Sequence, residues 1–123
     1  MPDGQGDVPV LDQGVVDDLR ASVAGDEAFV RELVATYVDE AAPSLGAMAA
    51  AAASGDAAAI VRPAHTLKST SASIGAMRLS AISGDLEAAG REGRTDGMRE
   101  AVDEATSVWV ETLEALRRAG LAA

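Results

Sequence analysis

Residues 55–76 read GDAAAIVRPAHTLKSTSASIGA, and how this stretch folds decides how the rest of the chain must fold. Gly55 is suited to a left-handed helix stop and Asp56 to an N-cap, so one helix ends and the next begins at this pair. At roughly 100° of rotation per residue, Ile60, Ala64, Leu67, Ser71 and Ile74 fall within one narrow arc. The spacing therefore predicts a helix over 56–74 that buries this arc. Arg62, Thr66, Thr70 and Ser73 point the other way. His65, the only histidine in the chain, lies on a flank beside Val61, Lys68, Ser69 and Ala72, its neighbours by the three-and-four rule of helix surfaces. Gly75 ends the helix. Pro63 has no N–H to give the carbonyl of Ala59 and is expected to bend or loosen the turn before His65.

The same punctuation organises the chain on either side. Gly25-Asp26 repeats the stop-and-cap pair, and Gly75 and Gly93 mark further breaks. After a flexible start over residues 1–10, helices are expected near 12–24, 26–53, 56–74, 77–91 and 96–119, making residues 11–123 a single domain. Apolar positions recur at alternating spacings of four and three. The second helix shows this at Val34, Val38, Ala41, Leu45, Met48 and Ala52, the fourth at Leu79, Ile82, Leu86 and Ala89. The last shows it at Met98, Val102, Ala105, Trp109, Thr112 and Leu116. These seams and short connections predict an all-α fold, an antiparallel four-helix bundle with an additional short N-terminal helix capping one end. Large side chains are scarce, so the helices should approach one another through alanine.

Composition narrows the function. Twenty acidic against ten basic residues give a net charge of −10, with one Trp, one Tyr and one Phe. A nucleic-acid surface needs a basic stripe and stacking aromatics, so none is expected. The absence of cysteine excludes a disulfide framework and every thiolate-held metal site. The opening MPDGQGDVPV has neither the basic nor the apolar region of a secretory signal, and AAPSLGAMAAAAA over 41–53 is too short and too interrupted to span a bilayer. A cytoplasmic protein without membrane contact is the expectation.

The chemistry open to His65 is limited by its company. No second histidine or HExxH pattern offers a metal site, no GxSxG elbow supports a hydrolase, and the glycines of a phosphate-binding loop are missing before Lys68-Ser69. A neutral imidazole is nevertheless a competent nucleophile, and an ammonium one turn away attracts a phosphoryl group. Small neighbours at Ser69 and Ala72, with Val61, would let a second protein bring a phosphoryl donor close.

HTLKSTSASIGA closely resembles the HxLKGSSxxxGA signature of histidine phosphotransfer (HPt) domains, and SGDLEAAGREG over 83–93 resembles the helix that follows it. The resemblance runs from VLDQGVVDDL through GDEAFVRELVATYVDEAAPSL to the last helix. It implies that His65 is phosphorylated, that Lys68 neutralises the phosphoryl charge, and that Gly75 makes the closing turn. Ser69 departs from the usual glycine. The implied function is a phosphorelay intermediate between receiver-domain aspartates, served by a hybrid sensor histidine kinase, with no cofactor of its own and Mg²⁺ on the receiver. No nucleotide-binding module accompanies it, so it is not expected to be a kinase, and a monomer is expected. Two other readings are a non-transferring adaptor or decoy that binds receivers, and a receiver phosphatase. The latter needs an acid to activate water, and no acid stands out.

Overall fold

The computed structural model describes residues 8–123, which form five helices and no strand. They are α1 (Gln13–Ser22), α2 (Glu27–Ser54), α3 (Ala57–Ile74), α4 (Met77–Arg91) and α5 (Met98–Arg118). Helices α2 to α5 pack in a ring, each against its neighbours in sequence, and α5 closes the ring on α2, as expected for an up-down-up-down bundle. Helix α1 lies across α2 and α3. No helix among the described residues is long and apolar enough to cross a membrane.

The boundaries follow from the caps. Asp12, Asp26 and Asp56 each accept a backbone N–H from the first turn of α1, α2 and α3, satisfying donors that a helix start leaves unpaired. Gly55 and Gly75 close α2 and α3 in the left-handed region, with φ of 69° and 95°. Gly75 has a second duty. Its carbonyl accepts the Asp12 N–H at 2.7 Å, and a Cβ there would lie 3.1 Å from the Asp12 carbonyl oxygen, so the start of α1 is clasped against the end of α3. Of the expected flexible start, residues 1–7 lie outside the described residues. Residues 8 and 9 are held, since Arg78 donates through Nε to the Val8 carbonyl and through its backbone N–H to that of Pro9.

The α3 arc is buried as the spacing predicts, at Ile60, Ala64, Leu67, Ser71 and Ile74, and the helix runs unbroken through Pro63. Burying Leu67 alone, 1 % exposed, contributes about 1.5–3 kcal/mol. The neighbouring stripes are shifted. In α2, Tyr37 is buried and Val38 only half-buried. In α5, Val108 takes the inward position expected for Trp109, which lies half-buried with its ring edge-on to Tyr37 at 5.7 Å. The physical reason is volume. The indole is far larger than the valine that takes the inward place, and at the margin it packs edge-on against the one buried phenol, whose hydroxyl is hydrogen-bonded to Ser71 Oγ at 2.8 Å. Ala89 of α4 is likewise half-buried, because that helix also turns a second face inward.

Candidate functional site

That second face of α4 is made of Ser80, Gly84, Glu87 and Gly90, spaced four, three and three apart, and it meets α3. At Gly90 the helices touch so closely that a Cβ would lie 2.6 Å from Ile60 Cγ2, 2.8 Å from the Ala57 carbonyl oxygen and 2.9 Å from Val61 Cγ2. Ser80 Oγ donates to the Lys68 carbonyl at 2.9 Å. These two contacts fix the register of α3 on α4, and Glu87 comes to lie between them, opposite His65 and Lys68.

Glu87 is the hub of the site. It is only 5 % exposed, a costly place for a carboxylate unless it is fully partnered. Its Oε2 lies 2.9 Å from His65 Nδ1 and accepts from Arg91 Nη2 at 2.8 Å, and its Oε1 lies 2.6 Å from Lys68 Nζ. Lys68 first and Arg91 second hold the Glu87 carboxyl down to about 2, with a smaller contribution from the His65 hydrogen bond, against burial that acts the other way. Near neutral pH this group is therefore an anion that can only accept hydrogen bonds. The proton between it and His65 accordingly resides on Nδ1. In the neutral form of the ring the lone pair is then on Nε2, at the far side of a side chain that is 56 % exposed.

This arrangement has one chemical meaning for the ring. If Nε2 forms a bond, positive charge appears on an imidazole whose other nitrogen already donates to an anion. Such a partner both selects the tautomer and stabilises the charge that develops. Two cations, Lys68 and Arg91, 40 % and 62 % exposed, border the same spot. A groove of about 480 Å³ runs between α2 and α5, lined by Val38, Leu113, Leu121, Arg31 and Arg117 among others, and no residue of α3 or α4 contributes to it. The imidazole stands more than half exposed at the surface of the bundle.

Of the residues singled out from sequence, His65 and Lys68 are brought together on Glu87. Ser69 is exposed one turn further on, and Ala72 is half-buried. Val61 is half-buried with a methyl against Gly90, so part of its side chain serves the helix interface. Gly75 is at the α1 clasp, away from the imidazole. Glu87 and Arg91 were not singled out. Their signal was present in the spacing Ser80, Gly84, Glu87, Gly90, a row of small and polar residues beside the apolar stripe of α4, with an acid 22 residues after the histidine.

No curated protein and no solved structure significantly matches the chain. The Hpt domain family model does match, over residues 32–119, a span that takes in α3, α4, α5 and most of α2 and so contains every residue of the site. The match covers well over half of the chain, and the chain belongs to the Hpt domain family, the phosphotransfer modules of two-component signalling.

Proposed function

We propose that this protein is a phosphorelay intermediate that accepts a phosphoryl group on Nε2 of His65 from a receiver-domain aspartate and passes it to another receiver. The Nε2 lone pair attacks phosphorus, an N–P bond forms, and the P–O bond to the aspartate breaks with its electron pair returning to that carboxylate. Nδ1 keeps its proton throughout. The charge created on the ring is met by Glu87, and Lys68 and Arg91 stand where they can neutralise the non-bridging oxygens. The return step runs through the same atoms and releases a neutral imidazole. Mg²⁺ would be supplied by the receiver, and a hybrid sensor kinase would be the upstream source. A cytoplasmic, monomeric carrier suits this role.

The observation that carries the reading is a buried carboxylate directly behind an exposed histidine, in contact with Lys68 and Arg91 as well. An adaptor or decoy would need no such device. A phosphatase would need a base, and a carboxyl held near 2 is a poor one. The test is incubation with a phosphorylated receiver. Wild type should gain acid-labile phosphate and His65→Gln should gain none, with unchanged helical content. Release of inorganic phosphate without label on the chain would instead establish a phosphatase, and binding without either would establish an adaptor.

A further inference from the structure

Lys68 does not reach Glu87 across open solvent. A Cβ built on Gly84 would lie 3.2 Å from Lys68 Cδ and 3.8 Å from its Cγ, with no other atom beyond its own helix within 4 Å. The lysine stem thus lies flat on α4 at a position where α4 has no side chain. Gly84 is in mid-helix, within Met77–Arg91, and does not have the positive φ that would require glycine. There it costs about 0.5–1 kcal/mol of helix stability relative to alanine. Neither backbone geometry nor helix-on-helix contact accounts for it, in contrast to Gly90, where backbone and branched side chains close in. The remaining contacts extend the same path: Ser80 Oγ holds the Lys68 carbonyl at 2.9 Å, Gly84 receives the stem, and Glu87 takes the ammonium at 2.6 Å.

Resting on the phosphorelay reading above, we infer that Gly84 is a positioning residue for phosphoryl transfer: it opens a channel on α4 that lays the Lys68 side chain beside His65. A side chain at 84 lifts the stem away from α4. The ammonium, at the end of a flexible chain, then spends its time in solvent instead of next to the transferring group.

The experiment measures transfer from a receiver domain loaded with radiolabelled phosphate, as a function of receiver concentration, on wild type, Lys68→Ala, Gly84→Ala, Gly84→Leu and the double variant Lys68→Ala/Gly84→Leu. Melting curves are recorded beside it. Displacements below 1 Å cost less than the hundredfold that a full ångström can cost, so Gly84→Ala should lower the maximal rate about three- to tenfold while its melting temperature holds or rises. Gly84→Leu should approach Lys68→Ala, and the double variant should be no slower than Lys68→Ala. The half-saturating receiver concentration should be unchanged in Gly84→Ala. If Gly84→Leu slows the Lys68→Ala background by the same factor as wild type, the leucine acts by obstructing docking and the inference is overturned. It is equally overturned if wild type takes label and both Gly84 variants transfer at its rate. A wild type that takes no label overturns the relay reading, and this inference with it.

Discussion

Replacing Gly90 by alanine tests whether the α3/α4 contact positions the site. The added Cβ would lie 2.6 Å from Ile60 Cγ2, 2.8 Å from the Ala57 carbonyl oxygen and 2.9 Å from Val61 Cγ2, where ordinary carbon contacts are about 3.5–4.0 Å. One obstacle is backbone, so rotamer changes cannot relieve it and α4 must withdraw by about 1 Å. Overpacking of this kind costs about 1–3 kcal/mol, and the helix propensity of alanine returns at most about 1 kcal/mol. A net loss of about 1–2 kcal/mol is expected, read as a fall in melting temperature of several degrees. Gly46 supplies the opposite case. It lies exposed in α2 with nothing within 4 Å of a built Cβ, so Gly46→Ala should stabilise by about 0.5–1 kcal/mol. Because Glu87 lies one turn before Gly90, Gly90→Ala should also slow phosphoryl uptake at temperatures where the protein is fully folded. If Gly90→Ala melts as high as Gly46→Ala, the close approach of α3 and α4 is not what holds the site in register.

Further expectations follow from the same contacts. Glu87→Gln keeps an acceptor for Nδ1–H but removes the charge, so uptake should slow about ten- to a hundredfold, measured by rapid quench. The Glu87 carboxyl is held at about 2 against an ordinary 4.5; its stabilising contribution is therefore present above pH 4.5 and lost as pH falls toward 2, a limb of the acid-stability curve that Glu87→Gln should flatten. Burial raises the Tyr37 hydroxyl from 10.0 to about 12, against a smaller lowering by its Ser71 hydrogen bond, so stability should fall as pH rises from 10 to 12, and Tyr37→Phe should abolish that fall while costing about 1–3 kcal/mol through the orphaned Ser71. Ser69→Arg, on an exposed site, should change stability by no more than about 0.5 kcal/mol yet weaken receiver binding; marked destabilisation instead would assign Ser69 to helix packing.

Periodicity reads well where a helix buries apolar residues against its neighbours and poorly where it does anything else. The five buried positions of α3 were all legible, because Ile60, Leu67 and Ile74 leave one plausible inner face, and the Gly-Asp pairs marked helix ends to within two residues. Trp109 misled because its hydrophobicity outweighed its size, and the smaller Val108 beside it fitted the core. His65 and Lys68 were legible as a spaced pair. Glu87 was not, since a carboxylate next to Leu86 reads as solvent-facing until the helix opposite is known to bring an imidazole and an ammonium to it, beside Arg91 of its own helix. Gly84 was silent for the same reason: its partner is a lysine stem 16 positions away.

The edge-on pair formed by Trp109 and Tyr37 has an optical consequence. The chain has one tryptophan and one tyrosine, and they lie 5.7 Å apart between α5 and α2, whereas the imidazole belongs to α3 and α4. Excitation of the phenol should pass efficiently to the indole in the folded state and fade when the two helices separate. Intrinsic emission thus reports on assembly of the bundle from a pair of chromophores outside the two helices that meet at the imidazole, so unfolding can be followed in unlabelled protein while any phosphate is counted separately.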